Sequence, residues 1–113
     1  MDSEKRKQRK AEELDRALVW KNKGNEHFKK GDNKEALKCY NEAILVANDQ
    51  PPFYSNRAQT LIKLNKCTEA LADCDMGLKL DAGFVKLHIH RGRALCGLVV
   101  SSMSKCNLQQ VVN

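Results

Sequence analysis

The chain reads Trp-Lys-Asn-Lys-Gly-Asn-Glu-His-Phe at residues 20–28, and two altered copies of this segment follow at equal intervals. The copies read Tyr-Ser-Asn-Arg-Ala-Gln-Thr-Leu-Ile at 54–62 and His-Ile-His-Arg-Gly-Arg-Ala-Leu-Cys at 88–96. Three positions align best: Trp20, Tyr54 and His88; Gly24, Ala58 and Gly92; and Phe28, Ile62 and Cys96. Self-similarity at a fixed period of this size is typical of repeat arrays. The sequence therefore predicts three stacked units.

Each unit is predicted to consist of two helices. Apolar residues recur at spacings of three and four, as in Leu37, Tyr40 and Ile44, which is the pattern of an amphipathic helix. Residues that break helices separate the segments at 31–33, 48–52 and 65–66. The small residues at 24, 58 and 92, with Ala36 and Ala70 opposite them, should let the two helices of a unit approach closely. The pattern predicts an all-α stack of helix-turn-helix units.

The repeat resembles that of the tetratricopeptide repeat (TPR) family. That family's signature has an aromatic residue, a small residue four positions later and an Ala-x-x-x-aromatic segment, matched here by Trp20, Gly24 and Ala36 to Tyr40. The resemblance implies a right-handed superhelix with two full repeats, 17–50 and 51–84, and a partial third, 85–97. Residues 1–16 should form a charged helical extension, and residues 98–113 a degenerate or truncated tail.

The tail leaves two alternatives open. It lacks the turn residues of the earlier units and contains Ser101, Ser102 and Ser104, which form helices poorly. The repeat would place Leu108, Val111 and Val112 on the apolar side of a weak helix over 102–112; the alternative is a truncated end. Because arrays of this kind close with a polar capping element and none is visible, we expect self-association through the uncapped C-terminal end.

Composition narrows the class of protein. The 113 residues are 42% hydrophobic and 30% charged, with a net charge of +6. No apolar run is long enough for a membrane span or a secretory signal, so we expect a cytoplasmic protein, with the nucleus as the alternative. The five cysteines should be reduced. The basic run at 5–10 is interpreted as a solvated extension of the first helix. The alternative is a nuclear-import or nucleic-acid patch, which the absence of an aromatic stacking partner disfavours.

The first helices of such units line a concave surface, which is where partners usually bind. Six polar side chains are predicted on that surface: Lys21, Asn25, Asn56, Lys86, His90 and Arg93. Lysines separated by amide side chains would give a peptide carboxylate both charge attraction and directed hydrogen bonds. The set resembles the carboxylate clamp of TPR co-chaperones, which implies binding to the acidic C-terminal tails of the chaperones Hsp70 and Hsp90. Lys63 should also face the groove. Phe28 and Ile62 should contact apolar side chains of the peptide upstream of its terminal carboxylate.

One clamp position departs from the family, because His90 stands where an arginine is usual. A neutral imidazole lacks both the fixed charge and the fork of donors, so weaker binding is expected, with Arg93 supplying some of the charge. The alternative is a generic protein-interaction groove without a clamp. His88 is expected to pack like Trp20 and Tyr54.

No catalytic, cofactor-binding or metal-binding arrangement is visible in the sequence. We therefore expect an adaptor with protein partners, rather than an enzyme or a binder of membranes, nucleic acid or small-molecule substrates. One clamp-bearing branch of the family, linked to cytoplasmic assembly of ciliary dynein arms, is similar over residues 4–97. That resemblance extends the expectation to dynein-arm assembly.

Overall fold

The computed structural model describes the backbone of residues 2–112 and the side chains of residues 3–103. Five helices follow one another: α1 (Asp2–Lys29), α2 (Asn33–Val46), α3 (Pro51–Lys63), α4 (Cys67–Leu80) and α5 (Val85–Val112). Helices α1 and α2 form one hairpin and α3 and α4 a second, and α5 packs on both α3 and α4. The predicted all-α stack of helical hairpins is confirmed. No helix in residues 2–112 is both long and apolar enough to cross a lipid bilayer.

The turn inside each hairpin depends on one residue with a left-handed backbone. Gly31 has φ +84° between α1 and α2, and Asn65 has φ +61° between α3 and α4. Glycine and asparagine adopt this conformation at low cost, whereas a β-branched residue does not. The equivalent residue one repeat further on is Val99, which lies inside α5. The third unit therefore continues as one unbroken helix where the first two fold back.

The charged N-terminal segment is part of α1, which begins at Asp2 and runs without a break to Lys29. At the other end, the backbone is helical through Val112 with no break at 97 or 98. The predicted apolar positions of Leu108, Val111 and Val112 lie outside the described side chains. The division of the chain at residues 16 and 97 stays a prediction.

The two helices of the first unit are in close contact at Gly24. A Cβ atom added to Gly24 would lie 2.6 Å from Cε1 of Tyr40, which is buried on α2. Ala36 and Ala70, at the corresponding place in the two second helices, are also fully buried. The small residues of the repeat are therefore explained by close helix packing in the two complete hairpins. Gly92 differs, because a Cβ there would meet nothing within 4 Å.

We predict opposite effects for alanine at Gly24 and at Gly92. Gly24→Ala should lower the free energy of unfolding by about 1 to 2 kcal/mol, since overpacking against Tyr40 outweighs the better helix propensity of alanine. Gly92→Ala should raise it by up to about 1 kcal/mol, because only the propensity changes there. Urea unfolding of both variants checks this, and equal effects at the two sites would contradict the packing argument.

Two repeat-equivalent side chains make the same hydrogen bond to the turn that joins their unit to the preceding one. The hydroxyl of Tyr54 donates to the carbonyl oxygen of Asn48 at 2.7 Å, and Nε2 of His88 donates to that of Ala82 at the same distance. Both side chains thus reach the turn that precedes their own helix. His88 is nevertheless exposed, so the expectation that it packs like Tyr54 is wrong. Its ring is held at the surface by the carbonyl contact, while its neighbour Leu87 is fully buried.

Arginines at repeat-equivalent positions also link the units. Arg57 donates to both carboxylate oxygens of Asp73 on α4, at 2.7 and 2.5 Å, and to Asn41 on α2 at 3.1 Å. Arg91, at the same position of the next repeat, donates to Asp75 on α4 at 3.1 Å, the equivalent of the contact with Asn41. Because the third unit has no folded-back second helix, Arg91 has no counterpart of Asp73 among the described residues.

Candidate peptide-binding site

Two asparagines predicted for the groove meet between α1 and α3. Nδ2 of Asn56 donates to Oδ1 of Asn25 over 3.5 Å, and the hydroxyl of Tyr40 donates to the same oxygen at 2.5 Å. Both donors therefore converge on one acceptor and hold the amide of Asn25 in a defined orientation. Among the described residues, nothing accepts a hydrogen bond from Nδ2 of Asn25 or from the second hydrogen of Asn56, so both can donate to an acceptor outside the protein.

Four other predicted residues line a shallow cleft between α3 and α5. The cleft has a volume of about 380 Å³, and its lining consists of Gln59, Ile62, Lys63, His90 and Arg93. Two cations, an amide and an imidazole thus surround a single aliphatic side chain. The arrangement suits an anionic group on a partly apolar segment.

The remaining predicted residues are more dispersed. Lys21 is half-buried one turn before Asn25 on α1, and no hydrogen bond joins it to another described side chain. Lys86 is exposed in the first turn of α5 and is close enough to His90 to influence its pKa. Phe28 is half-buried near the end of α1, away from the residues that line the cleft. The structure thus brings together two groups of predicted residues. Asn25 and Asn56 share a hydrogen bond, and a second group lines one cleft: Ile62, Lys63, His90 and Arg93. Lys21 and Phe28 belong to neither group.

His90 is buried, with 6% of its surface exposed, although it occupies a predicted binding position. Burial lowers the pKa of its imidazole below the usual 6.5, and the positive charges of Arg93 and Lys86 lower it further. Its Nδ1 atom is buried and has no hydrogen-bond partner among the described residues. At neutral pH this site therefore offers an uncharged ring in place of a cation.

The lowered pKa of His90 predicts a stability that depends on pH. The unfolded chain takes up the proton first as pH falls, so the stabilisation is complete above about pH 6.5 and is lost as pH falls through the folded pKa. We expect the melting temperature of the wild type to fall more between pH 7.5 and pH 5.5 than that of His90→Gln. The exposed His88→Gln variant should keep the wild-type difference. Equal slopes for all three proteins would rule out His90 as the source.

Sequence reasoning missed two residues of this site. The helical spacing assigns Tyr40 to the core alone, yet its hydroxyl orients Asn25, from which it is 15 residues away in the chain. No local signal announces such a contact. Gln59 could have been found, because it lies midway between Asn25 and Arg93, at the same position of the repeat as both.

The described side chains include no cluster of three or more His, Cys, Asp or Glu residues suited to holding a metal ion. Two of the cysteines, Cys39 and Cys74, are buried in α2 and α4. Burial, with the negative charge of Asp73 as a further cause, raises the pKa of Cys74 to about 11, so this thiol stays protonated at neutral pH. These thiols pack as apolar side chains.

Comparison with known proteins finds both a family profile and related sequences that match this chain. The profile of the tetratricopeptide repeat family matches residues 17–49. The chain is 37% identical over 110 residues to tetratricopeptide repeat protein 12 of Mus musculus, a match that covers 97% of this chain and 16% of that protein. The chain thus spans about a sixth of that relative's length.

Two solved structures are similar over most of their length. One is the first TPR domain of Spaghetti (RPAP3) bound to the Hsp90 peptide SRMEEVD, with a TM-score of 0.74, 34% identity, and coverage of 75% of this chain and 68% of that one. The other is the second TPR domain of human RPAP3 in complex with the Hsp70 peptide SGPTIEEVD, with a TM-score of 0.71, 30% identity, and coverage of 85% and 80%.

Both solved domains hold a peptide of another protein, and both share the helical hairpins described above. The relatives are thus protein-interaction scaffolds. Because it is 34% identical, over the aligned residues, to a TPR domain of which it covers 68%, this chain belongs to the tetratricopeptide repeat family.

Proposed function

We propose that this domain binds the C-terminal end of an acidic, extended peptide in a carboxylate clamp formed by Lys21, Asn25, Asn56 and Lys86. His90, Arg93 and Lys63 modulate the charge of the groove. Phe28 and Ile62 contact apolar side chains that precede the terminal carboxylate. The peptides proposed are the C-terminal tails of Hsp70 and Hsp90.

The observation that carries this proposal is the orientation of Asn25. Its Oδ1 atom accepts hydrogen bonds from Tyr40 and Asn56, so its amide hydrogens are left to donate. A carboxylate accepts hydrogen bonds and carries charge, and fixed amide donors bind it without the cost of ordering them first. Because the groove already presents hydrogen-bond donors, it suits a carboxylate, which only accepts hydrogen bonds, better than a ligand group that donates them.

The charges around these amides support the same class of ligand. Lysines lie one turn before Asn25 on α1 and one turn before His90 on α5, and the cleft beyond them adds Lys63 and Arg93. Peptides ending in Glu-Glu-Val-Asp occupy the related domains in both solved structures reported above. Such a tail brings several negative charges to a groove edged by positive ones.

The cellular role proposed is that of a co-chaperone-type adaptor, located in the cytoplasm or the nucleus, that binds rather than catalyses. We extend the proposal to assembly of ciliary dynein arms, the role that the resemblance over residues 4–97 implies.

A second candidate is a scaffold groove that binds another protein without a carboxylate clamp. The neutral, buried His90 favours it, because one of the usual clamp cations is then missing. The two candidates differ in what they require from the ligand. A clamp needs a free terminal carboxylate, and a generic groove does not.

We expect the domain to bind a fluorescent peptide ending in Glu-Glu-Val-Asp, and amidation of the peptide's C-terminus to weaken binding at least about tenfold. Charge-assisted hydrogen bonds of about 1.5 to 3 kcal/mol are lost when the carboxylate becomes an amide. Fluorescence anisotropy at fixed ionic strength measures both affinities. A folded domain that binds the two peptides equally would favour the generic groove, and one that binds neither would reject the clamp.

A further inference from the structure

An exposed apolar stripe runs along α5 on the side opposite its buried residues. Its members follow one another at alternating spacings of four and three: Val85, Ile89, Gly92, Cys96, Val99 and Met103. All six are exposed, with exposed fractions of 67% at Val85, 48% at Ile89, 55% at Val99 and 59% at Met103. Leu87 and Ala94 are fully buried on the other side of the helix. An apolar residue at every third and fourth position is the pattern of a coiled-coil seam.

The stripe is exposed to solvent because the third unit lacks a second helix that would pack on it. One unit earlier, the equivalents of Ile89 and Gly92 are Ser55 and Ala58, which are 2% and 0% exposed where α3 packs between α2 and α4. With Val99 at the position of the left-handed turn residue, α5 does not fold back to cover its own stripe. No described residue of this chain therefore covers the stripe.

We propose that a second copy of this chain covers the stripe, with the two α5 helices packed antiparallel about a twofold axis. The stripe is self-complementary in that orientation. Placing Cys96 opposite Val99 of the other copy also places Gly92 opposite Met103, so that a large side chain enters the space above a glycine. The same pairing of glycine with a large side chain joins Gly24 to Tyr40 inside the first hairpin.

The distribution of charge selects the antiparallel orientation. Helix α5 has no acidic residue. Three of its four lysines and arginines, Lys86, Arg91 and Arg93, lie in its first third, and the fourth is Lys105. A parallel pair would bring the two basic ends together, whereas an antiparallel pair places them at opposite ends of a helix about 42 Å long. The helical hairpins, which pack on the first half of α5, are then also at opposite ends. A symmetric dimer of this kind uses one surface of each copy.

The association is tested by light scattering coupled to gel filtration and by sedimentation velocity, at protein concentrations from about 1 to 100 µM. We expect the mass to rise from 12.8 kDa toward twice that value. Val99→Asp should weaken association at least tenfold and leave the helical circular dichroism unchanged, because Val99 is exposed in the monomer. Leu45→Asp is the matched control, since Leu45 is 80% exposed on α2, outside the stripe.

The register is tested by disulfide formation in Val99→Cys/Cys106→Ser under mild copper-phenanthroline oxidation. The antiparallel pair predicts disulfides between residue 96 of one copy and residue 99 of the other, which peptide mapping identifies. A 99–99 disulfide would show a parallel pair and overturn the proposed register. A chain that stays monomeric throughout, or a dimer that Val99→Asp leaves intact, would overturn the proposal, and a monomer would leave the stripe to a helix of another protein.

Discussion

Arg57→Met is expected to lower the free energy of unfolding by about 3 to 5 kcal/mol. The carboxylate of Asp73 is 8% exposed, and both of its oxygens accept hydrogen bonds from Arg57. Removing the guanidinium leaves a buried negative charge without its partner, and the contact with Asn41 on α2 is lost as well. Chemical denaturation followed by circular dichroism measures the change.

The repeat supplies a control for this prediction. Arg91→Met removes the equivalent arginine of the third unit, but its pair with Asp75 is about half exposed on both sides, so the cost should stay under about 1 kcal/mol. The double variant Arg57→Met/Asp73→Leu should recover most of the stability lost in Arg57→Met, because no unpaired charge remains. Equal losses for Arg57→Met and Arg91→Met would refute the burial argument.

Lys86→Ala is expected to weaken binding of a peptide ending in Glu-Glu-Val-Asp by about 10- to 100-fold, which corresponds to one charge-assisted interaction of about 1.5 to 3 kcal/mol. This prediction rests on the proposed clamp. Lys86 is exposed, so its removal should leave the melting temperature unchanged. Isothermal titration calorimetry of both proteins provides the comparison.

The control for Lys86→Ala is Lys79→Ala, which removes the same charge from the exposed surface of α4. It should bind the peptide within about twofold of the wild type, because distant surface charges are screened by salt. A thermodynamic cycle with the amidated peptide adds a second check: Lys86→Ala should matter little when the carboxylate is absent. If Lys86→Ala weakened both peptides to the same degree, Lys86 would not contact the terminal carboxylate.

Much of the fold could be predicted from the sequence because its causes are local. The constant repeat period, the three-and-four spacing of Leu37, Tyr40 and Ile44, and the breakers at 31–33 and 65–66 each act within a helix or a single turn. The close helix approach at Gly24 was predictable for the same reason, since a small residue recurs at this position of the repeat, but its contact with Tyr40 was not predicted. The incomplete third unit was also visible as missing turn signals after residue 97.

The candidate site could be predicted only in part. The meeting of Asn25 with Asn56 agrees with the predicted alignment of first helices, and so does the common cleft of Lys63, His90 and Arg93. The burial of His90 and the exposure of His88 were not foreseen, since His90 was assigned to the groove and His88 to the packing. Which of them faces inward depends on how α5 is rotated against α3 and α4, and in that rotation Leu87 packs on Gly77.

The sequence by itself determined the helices of the first two units, where their hairpins turn and which helix faces are apolar. These properties depend on residues within a few positions of one another. Only the tertiary structure decided that Tyr40 orients Asn25, that Arg57 binds Asp73 rather than solvent, and that the stripe of α5 stays uncovered. Those contacts join residues far apart in the chain or depend on a helix that is absent, so their energies arise only once the hairpins are stacked.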